Sequence, residues 1–366
     1  MPRIAIIPGD GIGVEVTREA TRVLRRVADI HGVDLDLSEW DLGADRFLRE
    51  GVTITEEEFS SLADGHDAIL LGALGDPRVP GNEHARDILL GLRFRLDLYV
   101  NFRPCHLLDP SLCPLRGAEE REIRLDIFRE NTEGPYVNLG GTFKRGTPDE
   151  IAIQEDVNTR KGVERILRAA FEHARACGIG RVSMVDKANA LPAAGDLWRR
   201  TLADVSADFP GIETEALYVD AVAMDLVRRP ERYGVLVTSN LFGDILSDLA
   251  AALTGGLGLA PSANLHPGRH ALYEPVHGSA PDIAGQGVAN PLGAINCVSL
   301  LLRHQGYAEA ARAVDASVAA SLTDGVRTPD LGGTASTEEV GAWIADRLDR
   351  GAAASTRPTS ERTTHG

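Results

Sequence analysis

What most constrains this chain is its punctuation: short apolar runs alternate with stretches of helical periodicity, and glycine and proline stand between them. Ile4 to Ile7 is a buried-type strand ending in Pro8-Gly9-Asp10-Gly11-Ile12-Gly13, and a helical pattern with apolar Val16, Ala20, Val23 and Val27 follows. Strand, glycine turn and helix are the opening of an α/β unit. Ala68 to Leu71, Leu98 to Phe102, Leu125 to Phe128, Ile151 to Gln154, Arg181 to Val185 and Val235 to Val237 are further strand candidates. Ala85 to Leu92, Val163 to Ala176 and Leu197 to Val205 read as helices between them. The alternation predicts an α/β fold in which helices flank a large sheet on both faces.

At 366 residues the chain suits one large or two closely joined domains with a cleft between them. A net charge of -16 repels phosphate backbones and anionic membranes, and no basic stripe is present, so no nucleic-acid partner is expected. The first apolar run is too short for an export signal and meets Asp10. The longest apolar stretch, Leu249 to Ala260, is too short and glycine-rich to cross a bilayer, so no membrane partner and a cytoplasmic location are expected. Cys105, Cys113, Cys177 and Cys297 form no CxxC pair and read as reduced, structural thiols. Asn138 to Pro148 is turn-rich between strand-like stretches, as in a protruding arm. The tail from Gly351 to Gly366 has almost no large apolar residue and is expected to be disordered.

Three arginines stand out in so acidic a chain: Arg93 at the end of a helical stretch, and Arg103 and Arg129 after strand-like runs. Guanidinium forks bind carboxylates bidentately, so three that converge would suit a substrate with two carboxylates, while spacing alone also allows surface ion pairs. Asp244 and Asp248 fall four apart on a predicted helix and point from one face. With Asp220 they could form an all-oxygen site for Mg²⁺ or Mn²⁺, the alternative being a solvated acidic face. Lys187 follows the strand Val182 to Val185, at the end where open α/β sheets place ligands. Near a metal its pKa would fall and it could act as a base; an exposed lysine is the alternative.

Glu274 to Gly285, Glu-Pro-Val-His-Gly-Ser-Ala-Pro-Asp-Ile-Ala-Gly, is a long turn-forming run whose small residues would let a cofactor approach the backbone. Its Asp282 could accept from both adenosine ribose hydroxyls while repelling a 2′-phosphate. By contrast, Gly9-x-Gly11-x-Gly13 lacks the third glycine at the spacing of a dinucleotide fingerprint.

Taken in order, these motifs resemble one family, the metal-dependent β-decarboxylating dehydrogenases, which include isopropylmalate, isocitrate, homoisocitrate and tartrate/D-malate dehydrogenases. The resemblance rests on Pro-Gly-Asp-Gly-Ile-Gly-x-Glu at 8–15, Leu-Arg and Asn-Phe-Arg-Pro within 92–104, Arg-Glu-Asn-Thr-Glu-Gly at 129–134, Asp-Lys-Ala-Asn at 186–189, Asn-Leu-Phe-Gly-Asp-Ile-Leu-Ser-Asp at 240–248, and the run from Glu274. It implies a two-domain, non-Rossmann, isopropylmalate/isocitrate dehydrogenase-like fold. The cofactor-binding domain would comprise residues 1–98 and 255–350, and the substrate, metal and dimerisation domain residues 99–254, with a dimerising arm at 138–154. It also implies a homodimer with shared active sites, to which the neighbouring subunit gives Lys187 and Asp220.

The same resemblance implies Asp220, Asp244 and Asp248 as ligands of Mg²⁺ or Mn²⁺, with a monovalent cation as a further option. Lys187 would take the hydroxyl proton and Tyr136, paired with Lys187, would protonate the enolate left by CO₂. Arg93, Arg103, Arg129, Leu89, Leu90 and Asn189 would bind a small dicarboxylate. Ile12, Glu274, His277, Gly278, Ser279, Ala280, Asp282, Ile283 and Asn290 would bind NAD. Leu89 and Leu90 resemble the leucine pair that receives an isopropyl group, which implies oxidative decarboxylation of 3-isopropylmalate to 2-oxo-4-methylpentanoate in leucine biosynthesis. Arg86, close by, and Ala190, where isopropylmalate enzymes commonly carry valine, leave open tartrate or D-malate, or a 3-alkylmalate or homoisocitrate of a specialised pathway. A non-catalytic subunit is disfavoured by the complete set of site residues.

Overall fold

The structure, a computed structural model, describes residues 1–355. Its strands are β1 (Arg3–Gly9), β2 (Asp36–Glu39), β3 (Ala68–Ala73), β4 (Val100–His106), β5 (Arg124–Glu130), β6 (Gly140–Phe143), β7 (Ile151–Gln154), β8 (Arg181–Asp186), β9 (Glu213–Tyr218), β10 (Val235–Thr238), β11 (Pro261–His266) and β12 (His270–Pro275). Ten of them form one sheet in the order β2-β1-β3-β12-β11-β4-β5-β10-β8-β9. The two flanks are parallel, and the centre, where β12, β11, β4 and β5 meet, is antiparallel. One half of the sheet comes from the two ends of the chain and the other from its middle. The pairing of β11 with β4 is the seam between them.

Both faces of the sheet are covered, as parallel strands require. Ile4 points into a core with Val16, Ala20, Val23 and Val27 of the Ile12–His31 helix, while its neighbours Ala5 and Ile7 enter a separate core with Ile88 and Leu92. The first helix therefore buries the stripe that its sequence periodicity marks out. Its end is set by Gly32, which adopts the left-handed conformation at φ 63. In the middle of the chain, Leu125 and Ile127 of β5 pack with Leu246 and Ala250 of the Asn240–Leu253 helix. That helix is thereby clamped to the strand carrying Arg129. Cys105 and Cys297 are buried, and burial pushes the Cys105 thiol up to about 12, in keeping with a structural role.

Some sequence expectations change. The stretch Ala85 to Leu92 is no uniform helix: a short helix at Glu83–Ala85 passes into a π-turn at Arg86–Leu90 and then a helix at Gly91–Arg95. The wider turn carries one extra residue per hydrogen-bonded ring, so Arg86, Leu89 and Leu90 leave the stripe that an α-helical count assigns them. The run from Glu274 is not all turn, because Glu274 and Pro275 close β12. The last helix, Thr337–Ser355, continues five residues into the predicted disordered tail, where three consecutive alanines favour helix; residues 356–366 lie outside the described residues. The arm is the antiparallel pair β6 and β7, with Phe143 opposite Ile151 and both exposed.

Candidate active site

The site grows from one face of the central strands. In register, Asn101 of β4 stands opposite Arg129 of β5 on one side and Asn264 of β11 on the other, and Ser262 of β11 stands opposite Glu274 of β12. Side chains two apart share a face, so Arg103, Asn101, Arg129, Ser262, Asn264 and Glu274 project together. The Asn240–Leu253 helix crosses this face closely. A Cβ on Gly243 would come within 2.6 Å of the Arg129 side chain, so glycine lets the helix approach.

Two of the three sequence-identified arginines converge on Asp244. Arg129 donates from Nε to Asn240 Oδ1 at 2.7 Å and from its terminal nitrogen to Asp244 Oδ1. Arg103 donates to Ser247 Oγ at 2.7 Å and lies 3.3 Å from Asp244 Oδ1 and 3.2 Å from Asp248 Oδ1. Tyr136 donates its hydroxyl to the other Asp244 oxygen at 2.6 Å. Arg93, buried in the Gly91–Arg95 helix, lies 3.5 Å from Glu274 Oε1. These contacts exclude the reading of the three arginines as surface ion pairs.

Charge in this cluster is tightly coupled. Burial pushes the Arg93 and Arg129 guanidiniums down, and Arg103 adds to both effects by repulsion. Burial alone would raise the Asp244 carboxyl, but Arg129, the Tyr136 hydroxyl and the other two arginines outweigh it and hold the group below the ordinary carboxylate range. Asp248 moves the other way: burial raises it, with only partial relief from Arg103. Burial and its donation to Asp244 raise the Tyr136 phenol. Arg93 Nε and Arg103 Nε are buried with no partner in the chain, which suits an anionic ligand with more oxygens to offer.

Lys187 follows β8 and donates to Asp220 Oδ1 at 2.6 Å, the lysine holding that carboxyl below its ordinary range. Asp220 begins the Val219–Arg228 helix and its side chain is 66% exposed. Within one chain, therefore, Lys187 pairs with Asp220, whereas Tyr136 pairs with Asp244; the expected Tyr136–Lys187 pairing is not made inside one copy. Among the described residues no three His, Cys, Asp or Glu side chains stand together as a metal site. Asp244 and Asp248 offer hard oxygen donors from one helix face, which suits a divalent cation, but a single chain leaves Asp220 apart from them. Asn189 and Ala190 are exposed in the turn after Lys187.

On the other flank the glycine turn meets the run from Glu274. Ile12 N donates to the Ser279 carbonyl at 2.8 Å, and Gly11, at φ 56, would bring a Cβ within 2.0 Å of that oxygen. Glycine is required there by conformation and by space. His277 is half-buried, its Nε2 shielded from solvent and unpartnered in the chain, and the space beside Gly278 is open. An unsatisfied ring nitrogen next to bare backbone suits a cofactor such as NAD. Ala280 adopts φ 37, which bends the loop, and Asp282 stands exposed beyond it with Ile283 partly buried. Asn290 accepts from Leu292 N and donates to Asp330 Oδ2 at 3.0 Å. Leu89 and Leu90, in the π-turn, are half-buried and Arg86 is exposed.

Sequence reading missed the residues that support these groups. Asn240 and Ser247 hold Arg129 and Arg103 and lie inside a motif already singled out, so their signal was present. Asn264 and Asp330 lie in no such motif and emerge only from the packing.

The profile of the isocitrate/isopropylmalate dehydrogenase family matches residues 3–344. The chain is 47% identical to the 3-isopropylmalate dehydrogenase of Thermobifida fusca over 348 residues, covering 94% of this chain and 97% of that one. It is 48% identical to the 3-isopropylmalate dehydrogenase of Streptomyces griseus, covering 94% and 98%. The isocitrate dehydrogenase of Methylococcus capsulatus superposes with a TM-score of 0.85 at 36% identity, over 95% of this chain and 99% of that one. A β-decarboxylating dehydrogenase of Thermococcus kodakarensis gives 0.79 at 36% identity, over 99% and 100%. With its ten-stranded mixed sheet and its arginine-ringed carboxylates, the chain belongs to the isocitrate/isopropylmalate dehydrogenase family.

Proposed function

We propose that this chain oxidises and decarboxylates 3-isopropylmalate to 2-oxo-4-methylpentanoate, with NAD and Mg²⁺ or Mn²⁺, as a step of leucine biosynthesis. The observation that carries the proposal is the convergence of Arg103 and Arg129 on Asp244, beside Arg93. It occurs in a chain whose relatives named for this activity match it over nearly their whole length. Half-buried Leu89 and Leu90, in the turn leading to Arg93, offer apolar surface to an isopropyl group. Arg93, Arg103 and Arg129 bind the two carboxylates, and the unused Nε–H groups of Arg93 and Arg103 remain available to the ligand.

Asp220, Asp244 and Asp248 would hold a divalent cation, which would supply Lewis acidity at the substrate's hydroxyl, and NAD, held by the run from Glu274, would take up the hydride. Lys187 takes the proton from the C2 hydroxyl as the C2 hydrogen leaves with its electron pair, giving a ketone. The C3–carboxylate bond then breaks, CO₂ departs, and the three guanidiniums stabilise the charge left on the enolate. Tyr136 delivers a proton to C3. Asp282, exposed within the run from Glu274, favours NAD by repelling a 2′-phosphate.

The proposal includes a homodimer. Met224 and Val227 on one helix and Leu241 and Ile245 on the helix packed beside it are exposed, as are Phe143, Ile151 and Ile153 on the arm, and apolar surface of this extent suits a covering partner. The partner would bring Lys187 and Asp220 to Asp244, Asp248 and Tyr136. The domain limits, 1–98 with 255–350 and 99–254, are supported by the two halves of the sheet on either side of the β11–β4 seam. A cytoplasmic setting fits the four free cysteines, and no helix among the described residues is long and apolar enough to cross a membrane.

The test is kcat/KM for 3-isopropylmalate, D-malate, tartrate and homoisocitrate, with NAD and with NADP, before and after chelation of divalent metal. The expected result is a preference for 3-isopropylmalate and NAD, abolished by chelation; a preference for another acid overturns the substrate assignment.

A further inference from the structure

A buried polar chain crosses the seam between the halves of the sheet and ends at the site. Asn101, Asn131 and Asn264 are 0, 0 and 1% exposed, and their amino groups are all hydrogen-bonded, although Asn101 Oδ1 and Asn131 Oδ1 find no partner in the chain. Asn131 Nδ2 donates to the Leu98 carbonyl at 2.9 Å, and that oxygen can only accept, so the orientation of the Asn131 amide is set. The same Nδ2 donates to Asn264 Oδ1 at 2.9 Å, and Asn101 Nδ2 donates to that Oδ1 at 2.9 Å as well. With its oxygen receiving two donors, Asn264 must turn its amino group the other way. There it donates to Glu274 Oε1 at 2.8 Å, the oxygen that lies 3.5 Å from Arg93.

Three segments that carry site residues meet at this one amide. Asn131 lies two residues beyond Arg129, Asn101 two before Arg103, and Glu274 begins the cofactor run. Asn264 alone belongs to none of them, and it stands on the seam. We infer that Asn264 is a positioning residue: by donating to Glu274 it fixes that carboxylate against the cofactor and Arg93, tying the cofactor half of the site to the substrate half. The inference rests on the proposed cofactor role of Glu274. A leucine at position 264 would fill the space, remove the acceptor of Asn101 and Asn131 and leave Glu274 free to turn, whereas aspartate would keep that acceptor and set a second carboxylate oxygen against Glu274 and the Leu272 carbonyl in place of the donor.

The test is a double-mutant cycle on the full-length protein, read as the dissociation constant for NADH and as KM for NAD against kcat. Asn264→Leu is expected to weaken NADH binding about tenfold in the parent and less than about twofold in Glu274→Gln, because its effect passes through Glu274. KM for NAD should rise with it, while kcat changes less. Asn264→Asp, which keeps the acceptor but turns an anionic oxygen toward Glu274, is expected to weaken NADH binding in the parent and far less in Glu274→Gln, whose amide can donate to it; an unchanged urea midpoint in each variant separates lost binding from misfolding. Equal losses in both backgrounds, or no loss in either, overturn the inference. An intact cycle in an enzyme that ignores 3-isopropylmalate would instead overturn the substrate proposal alone.

Discussion

The residues expected to perform the chemistry fall into two groups that the chain treats very differently. Around Asp244, the groups come from β4, β5, the Pro135–Val137 turn and the Asn240–Leu253 helix, and Arg129 is only 2% exposed. Lys187 and Asp220 instead form a single ion pair toward solvent, with side chains 26% and 66% exposed. The first group is compensated by its own chain, since each buried charge has opposite charge within reach. An exposed pair adds little to folding, so the stability of one copy does not explain the second group. In the proposed dimer the pair would meet Asp244, Asp248 and Tyr136 of another copy.

If the second group serves another copy, the exposed half should matter as much for catalysis as the buried half. Lys187→Ala is expected to slow NADH formation about 1000-fold, as loss of a general base does. Tyr136→Phe should slow decarboxylation of the oxidised intermediate about 100-fold while sparing hydride transfer more. Assaying the two steps separately checks both, and parental rates in both variants would contradict the roles.

Stability should separate the halves. Arg129→Met is expected to cost about 2 kcal/mol in urea denaturation, because it takes from the half-buried Asp244 its nearest cation and from Asn240 a buried donor. Asp220→Asn should leave the midpoint where it was. A smaller effect is expected with pH. The Asp244 carboxyl is lowered in the folded chain, so its stabilising contribution is fully present above the unfolded value, about 3.9, and is lost as pH falls through the folded one. The stability gap between the parent and Asp244→Asn should therefore narrow from about pH 7 to about pH 3.

The same contrast shows how far sequence carries. β1, β3, β5, β8 and β10 announce themselves because their side chains enter apolar cores, and the stripe on the first helix does so for the same reason. β11 and β12 escape notice although they are central, since Ser262, Asn264 and Glu274 face the site and break the apolar pattern. β2 and β9 escape it as edge strands, with mostly exposed or half-buried residues. Spacing alone placed Asp244 and Asp248 on one helix face. Nothing in spacing could relate either to Asp220, because that relation would lie between two copies. The π-turn before Arg93 was equally hidden: a continuous helical pattern does not show where a turn takes in one residue more.

Whether a working site needs the exposed pair of one copy and the arginine-ringed carboxylates of another can be measured directly by complementation. Two variants, Lys187→Ala and Tyr136→Phe, each impaired in forming the decarboxylated product, are purified, mixed, dissociated and reassembled, and activity is read as that product. If the halves come from different copies, each mixed dimer holds one fully parental site and one doubly altered site. Random reassembly then recovers about a quarter of parental activity, which is the expected result. If every site is built within one copy, the mixture stays at the mean of the two variants, and sharing between copies is ruled out.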